Sequence, residues 1–296
     1  MPAGQIVCAI SGFYYVRTPE SGKDIQCRAR GLFKKKKLSP LVGDRVMYEE
    51  TNDGEGIITE VYPRQTQLIR PPIANVEQAI VVCSLREPDF QSTLLDRFLV
   101  HCEREGLKVV ICLTKSDLLT EEEGLQQILK TYEQAGYPLV VSSIRDEDGA
   151  QDLIPYLQGV LSVFAGQSGV GKSSLLNMLV PQWKLETGEV SHKLGRGKHT
   201  TRQVNILDLP MGGQVADTPG FSQLDFTGME AEQLGAYFPE IEALSVSCRF
   251  RGCLHHQEPG CAVRAAEEAS ELSGERYAHY VQFLEEIQEQ WRYKKW

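Results

Sequence analysis

No stretch of this 296-residue chain is apolar for long enough to cross a membrane, and no secretory leader is read ahead of Met1-Pro2-Ala3-Gly4. Repeats and low-complexity segments are missing too, which argues against a solenoid or a largely disordered chain. Positive charge is in short supply. The 31 Lys and Arg residues stand against 40 Asp and Glu, a net charge of −9, so the molecule is not a general binder of polyanions. The eight cysteines point to a metal site sooner than to disulfides. Cys8, Cys27 and Cys102 are scattered, and Cys83 and Cys112 sit in apolar runs. Only Cys248, Cys253 and Cys261 cluster. These absences together lead us to expect a cytoplasmic protein in a reducing compartment, with no membrane partner.

What is present begins with a phosphate loop. Gly166-Gln167-Ser168-Gly169-Val170-Gly171-Lys172-Ser173 fits G-x-x-x-x-G-K-[ST], with Ser174 following. Val160 to Ala165 reads as a buried strand and Lys172 to Leu179 as an apolar helix, so the loop has the strand–loop–helix setting its chemistry needs. The glycines let successive N–H groups turn inward toward phosphate oxygens, and the helix N-terminus adds partial positive charge there. Lys172 is expected to reach the β- and γ-phosphates and Ser173 to ligate Mg2+.

Asp217-Thr218-Pro219-Gly220 follows, after a hairpin-like pair of strands over Val204 to Leu207 and Gly213 to Ala216. Alone it is a good turn sequence. Behind a phosphate loop, Asp217 is expected to hold Mg2+ through water, and the Gly220 N–H to sense the γ-phosphate. Phe221 stands where many small GTPases carry a water-orienting glutamine, and a phenyl ring cannot orient water, so intrinsic turnover should be slow. The acid-free segment Ser191 to Arg202 carries several cations and two glycines. Thr200 or Thr201 could close on Mg2+ there, and His199 is the spare polar group that could assist the attacking water.

The guanine-reading segment of an ordinary GTPase comes after these motifs. Here the best candidate, Thr114-Lys115-Ser116-Asp117, lies upstream of the phosphate loop. Val109 to Leu113 before it is an apolar run typical of a strand buried on both faces. Asp117 can accept hydrogen bonds from the N1–H and exocyclic amine of guanine, and the Lys115 stem can cover the base. Thr114 departs from the usual Asn. Ser142-Ser143, closing the strand Leu139 to Val141, resembles a further GTPase motif. A cut-and-rejoined GTPase core explains the order, because a site needs its loops near one another in space and not in sequence.

Cys248, Cys253, His255 and Cys261 are separated by four, one and five residues, with Gly252, Pro259 and Gly260 allowing tight turns. Three thiolates and an imidazole would close a structural tetrahedral Zn2+ site, with His256 a rival to His255. Near the start, Gln5–Ile10, Phe13–Arg17, Asp24–Arg30, Asp44–Glu50 and Gly56–Tyr62 read as five short strands, the number of a small OB-type barrel. Lys23, Arg28, Arg30 and Lys34 to Lys37 cluster beside Phe33 with only Asp24 nearby in sequence, which favours RNA contact by that barrel. In the tail, Tyr277, Tyr280, Val281, Leu284, Ile287 and Trp291 recur at helical spacing, as a packing stripe does.

With these residues in hand, the whole chain resembles the ribosome small-subunit-dependent GTPase A family of circularly permuted GTPases. The most specific elements are Gly166–Ser174, His199-Thr200-Thr201, Asp217–Gly220 and Cys248…Cys253-Leu254-His255…Cys261-Ala262-Val263. The resemblance implies a GTPase stimulated by the small ribosomal subunit, binding its rRNA and GTP or GDP, in late subunit maturation or factor release. Residues 1–66 are expected to form an OB-type β-barrel, residues 67–228 a circularly permuted α/β P-loop GTPase core, and residues 229–296 a zinc-binding α-helical domain. A monomer with one structural Zn2+, and Mg2+ accompanying GTP, is expected. A P-loop ATPase or kinase, or a nucleotide-binding RNA-binding module outside ribosome assembly, is the rival reading.

Overall fold

Alternation of apolar and polar residues sets the first layer of structure. In the computed structural model, β1 (Ala3–Ile10), β2 (Phe13–Arg17), β3 (Asp24–Ala29), β4 (Arg45–Glu50) and β5 (Gly56–Val61) turn Ile6, Val16, Cys27, Val46, Tyr48 and Ile58 inward. The described residues are all but 1, 19–21, 32, 34–38, 52–53, 70, 120–122, 147, 186–203, 218–223 and 295–296. The sheet runs β1-β2-β3-β5-β4, and β4 pairs back onto β1, closing a five-stranded barrel. Only the β3–β5 contact is parallel. Each strand lies within two residues of its sequence-based bounds.

The basic cluster on this barrel is less isolated than its local sequence suggests. Arg30 pairs with Glu49 at 2.7 Å and Arg28 approaches Glu55 at 3.8 Å. Glu49 lies in β4 and Glu55 in the turn before β5, both later in the chain. Phe33 is buried, with 7% of its surface exposed, so its ring is not offered to a nucleobase. Lys34 to Lys37 lie outside the described residues.

A short pair, β6 (Gln67–Leu68) and β7 (Ile73–Ala74), leads out of the barrel. At this join Gly43 has φ +91°, and a Cβ there would lie 1.9 Å from the Ala74 carbonyl oxygen, so only glycine permits the approach. Buried Asp44 accepts from Arg64 at 2.7 and 2.8 Å and fixes the same corner.

Beyond it, β8 (Gln78–Ser84), β9 (Lys108–Thr114), β10 (Leu139–Val141), β11 (Leu161–Ala165), β12 (Asn205–Asp208) and β13 (Gln214–Asp217) form the order β10-β9-β8-β11-β13-β12. All pairs are parallel except β12–β13. The parallel strands are almost continuously apolar because both faces are covered. Four helices accompany them: α1 (Ser92–Arg104), α2 (Glu123–Gln134), the single turn α3 (Ile154–Leu157) and α4 (Lys172–Leu179). Strand β12 also pairs with β1 of the barrel at Cys8 and Asn205, so the two sheets are continuous.

The tail folds as α5 (Pro239–Ser245), α6 (Ala262–Glu268) and α7 (Gly274–Lys294), packed on Phe226, Met229, Leu234 and Phe238. Most of the stripe of α7 packs on the core, as its spacing predicts: Tyr280, Leu284 and Ile287 are buried and Tyr277 and Val281 partly so, while Trp291 is exposed and donates its indole N–H to the Met229 carbonyl. Helix α1 is buried on two sides. Leu95, Phe98, Leu99 and Cys102 face the sheet, and Val100 joins the tail core.

Between α1 and α7 lies an ionic join. Arg276, 1% exposed, donates to Asp96 and Glu240 at 2.5 Å each, and its guanidinium sits among the rings of Phe238, Tyr132 and Tyr137. The other Asp96 oxygen meets His279 Nδ1 at 2.6 Å, and His279 Nε2 meets Thr93 Oγ1 at 2.8 Å. Removing Asp96 strips the buried Arg276 guanidinium of one of its two carboxylates, and leaves His279 without its acceptor. Asp96→Ala should therefore lower unfolding free energy by about 3–5 kcal/mol, read by urea titration of the whole chain.

Candidate nucleotide and metal sites

The described phosphate- and base-side segments lie at one edge of the sheet, the carboxyl ends of the parallel strands, where open α/β sheets take their ligands. Strand β11 ends at Ala165 and the chain turns through Gly166 (φ +143°). A Cβ at Gly166 would sit 2.2 Å from the Val82 carbonyl oxygen, so the loop presses against β8 in a way a larger residue would forbid. Val170 and Ser173 are buried, and α4 starts at Lys172. The Lys172 ammonium donates to the Gly166 and Gln167 carbonyls at 2.8 and 2.7 Å. Burial lowers its pKa, with Cys83 opposing, so an anion in the loop would be a favourable exchange for this cation.

Thr114 explains how a hydroxyl can stand where an amide is usual. Its Oγ1 donates to the Val170 carbonyl at 2.5 Å and lies 3.3 Å from the Cys83 carbonyl. A single side chain thereby ties the end of β9 to the phosphate loop. Lys115 then adopts a left-handed conformation (φ +59°), and its ammonium donates to the Glu87 carbonyl. Ser116 Oγ donates to the Ser142 carbonyl at 3.2 Å.

Asp117 and Ser143, 26 residues apart, meet directly. Ser143 Oγ donates to one Asp117 oxygen at 3.0 Å, and Arg145 Nε approaches the other at 3.1 Å. Nothing in the sequence singled out Arg145. Its place follows from the turn after β10, where Ser143 Oγ also accepts from the Arg145 backbone N–H at 3.0 Å.

Asp217 ends β13, opposite Asn205. Burial pushes its carboxyl up to about 6, and a divalent cation beside it would reverse that by favouring the ionised form. His199, Thr200, Thr201 and Gly220, together with Phe221, lie outside the described residues.

The four tail ligands converge. Cys248, Cys253, His255 and Cys261 place one ligand atom each within 4.8 Å of all the others. His255 Nδ1 is 3.5 Å from both Cys248 and Cys261 sulfurs, which are 3.9 Å apart. Zinc bonds of about 2.3 Å to sulfur and about 2.0 Å to nitrogen, at tetrahedral angles, imply S···N near ~3.5 Å and S···S near ~3.8 Å. The donor set fits. Burial raises the Cys253 thiol and lowers the His255 imidazole, so a bound cation would favour the Cys253 thiolate beside a neutral imidazole. His255 Nδ1 faces the cluster, which distinguishes it from His256, whose Nε2 turns instead toward Glu285 at 3.9 Å.

The loop is held from two sides. Glu258 accepts from the Leu254, His256 and Gln257 N–H groups, while Tyr277 and Tyr280 of α7 donate to the His255 and Leu254 carbonyls at 2.8 Å.

Known proteins resemble this arrangement along its length. The family described as RsgA GTPase matches residues 61–227, and that described as RsgA N-terminal domain matches residues 3–58. Small ribosomal subunit biogenesis GTPase RsgA of Shouchella clausii (strain KSM-K16) is 54% identical, with 99% of each chain covered. The protein of that name in Bacillus subtilis (strain 168) is 51% identical over 98% of each chain. Among solved structures, YloQ, a circularly permuted GTPase, superposes with a TM-score of 0.85 at 47% identity, covering 98% of this chain and 96% of its own. YjeQ from Thermotoga maritima gives 0.87 at 36% identity, covering 97% and 98%. On its motifs, its permuted sheet and these likenesses, the chain belongs to the RsgA GTPase family.

Proposed function

We propose that this chain is a GTPase of small ribosomal subunit biogenesis, binding the subunit and hydrolysing GTP on it late in maturation or at factor release. The observation that carries the reading is the meeting of Asp117, Ser143 and the phosphate loop through Thr114 and Val170. A guanine base and a phosphate chain could be gripped at once only if those segments adjoin. The relatives named for small-subunit biogenesis supply the setting.

In this reading residues 1–66 form an RNA-contacting barrel, residues 67–228 the permuted GTPase core and residues 229–296 a zinc-stapled helical domain. Gly166 to Ser174 cradle the phosphates. Ser173, Asp217 and one of Thr200 and Thr201 complete the Mg2+ shell, and Gly220 senses the γ-phosphate. Thr114 to Asp117, with Ser142 and Ser143, hold the base. His199 assists the attacking water on the subunit. Cys248, Cys253, His255 and Cys261 hold one Zn2+. The protein works as a cytoplasmic monomer, its partners being the subunit, its rRNA and GTP or GDP.

Asp117→Asn exchanges an acceptor oxygen for a donor amide, at a cost of about 1.5–3 kcal/mol for a charged hydrogen bond. Competition binding should show GTP weakened and xanthosine nucleotides gained; retained preference for GTP would remove the base-reading role. Metal analysis should find one equivalent of zinc in protein purified without chelator. Cys253→Ser should loosen the tail, read by proteolysis, while GTP affinity stays within about twofold.

Hydrolysis with and without purified small subunits tests the function itself. Turnover should be slow alone and rise at least about tenfold on the subunit, a barrier change of about 1.4 kcal/mol. His199→Ala should lose most of that rise while still binding GTP and subunits. No stimulation of the wild-type chain would overturn the proposal.

A further inference from the structure

The base-side loop spends its donors on the main chain. Thr114 is buried, and its hydroxyl faces two carbonyls, Val170 at 2.5 Å and Cys83 at 3.3 Å. A hydroxyl has one proton. Whichever carbonyl takes it, Thr114 keeps only lone pairs for any further neighbour. Ser116 repeats the pattern, with its backbone N–H and its Oγ both directed at the Ser142 carbonyl, at 3.4 and 3.2 Å. The Lys115 ammonium is engaged by the Glu87 carbonyl. Asp117 differs from all three, because it brings acceptor oxygens, one held by Ser143 and the other by Arg145.

Guanine offers two unlike edges. Its N1–H and exocyclic amine are donors that a carboxylate can read, while its five-membered ring carries N7, an acceptor that only a donor can read. With the first edge at Asp117 and the phosphates on the loop beyond Val170, the five-membered ring lies over the stretch between, where Thr114 ties the two segments together. We infer that Thr114 leaves guanine N7 unread, so that the specificity of the pocket stops at the edge read by Asp117 and guanine nucleotides with carbon in place of N7 are accepted as readily as GTP. An asparagine amide has two N–H protons, enough for the Val170 carbonyl and for N7 together; the threonine hydroxyl has one, and the loop has taken it. The inference rests on the proposed role of Asp117 in holding the base.

Competition binding on the full chain with Mg2+ present is the test, using GTP, 7-deaza-GTP, ITP and ATP. The wild-type chain should bind 7-deaza-GTP within about twofold of GTP, since no net hydrogen bond is lost. Thr114→Asn should open a gap of about fivefold in favour of GTP, the size of one such bond. Taking the ratio of two nucleotides on the same protein cancels any general loosening of the loop. A wider wild-type preference for GTP overturns the inference, and so does a Thr114→Asn protein whose ratio stays at the wild-type value. Should Thr114→Asn fail to fold, the wild-type ratio decides alone. ITP, which lacks the exocyclic amine, separates this claim from the one beneath it. If ITP binds about tenfold more weakly than GTP, Asp117 stands as the base reader whatever 7-deaza-GTP does. If ITP and ATP bind as tightly as GTP, that reading fails and the inference falls with it.

Discussion

One carboxylate carries the join between the sheet and the C-terminal helices. Asp96 is fully buried, and its two oxygens are spent on Arg276 and His279, both from α7. Three aromatic rings around the guanidinium exclude water, so the attraction acts in a low dielectric and neither partner can relax into solvent. Helix α1 therefore serves two cores at once, which is why its apolar residues are not confined to one stripe. The metal-type cluster inherits this fixity, because Tyr277 and Tyr280 of the same α7 grip the loop that bears His255.

At the nucleotide edge the controlling geometry is that of parallel strands. Their carboxyl ends lie together whatever their order along the chain, so moving the base-reading strand β9 ahead of the phosphate-loop strand β11 costs the site nothing. Permutation changes what is attached. In this chain the residues after Asp217 lead on to Phe226 of the tail core, and Arg97 of α1 donates to the Leu224 carbonyl just before it. Thr114 shows a similar economy, since its hydroxyl makes the bridge to the phosphate loop that the site requires.

Local pattern was enough for the barrel strands, the phosphate loop and the cysteine cluster. Each is written in adjacent residues: alternation for β4, glycines at fixed offsets for Gly166 to Gly171, tight ligand spacing for Cys248 to Cys261. Pairings across long separations were not legible. Glu49 and Glu55 temper the basic cluster from the β4–β5 hairpin, and Asp96 finds Arg276 180 residues on. Phe33 looked like a surface aromatic among cations, yet the barrel core had room for it. Arg145 carried no signal at all, because its approach to Asp117 depends on a turn whose course only the fold reveals.

The pairing of β1 with β12 gives the barrel a second duty. Strand β12 would otherwise be the open rim of the parallel sheet, with unpaired N–H and C=O groups exposed to any passing strand. The barrel caps that rim at Asn205 and bolts it down with Arg17 on Asp208 at 2.6 Å. The barrel thus also acts as a guard against edge-to-edge association. Trimming it away would leave the catalytic core with an adhesive border.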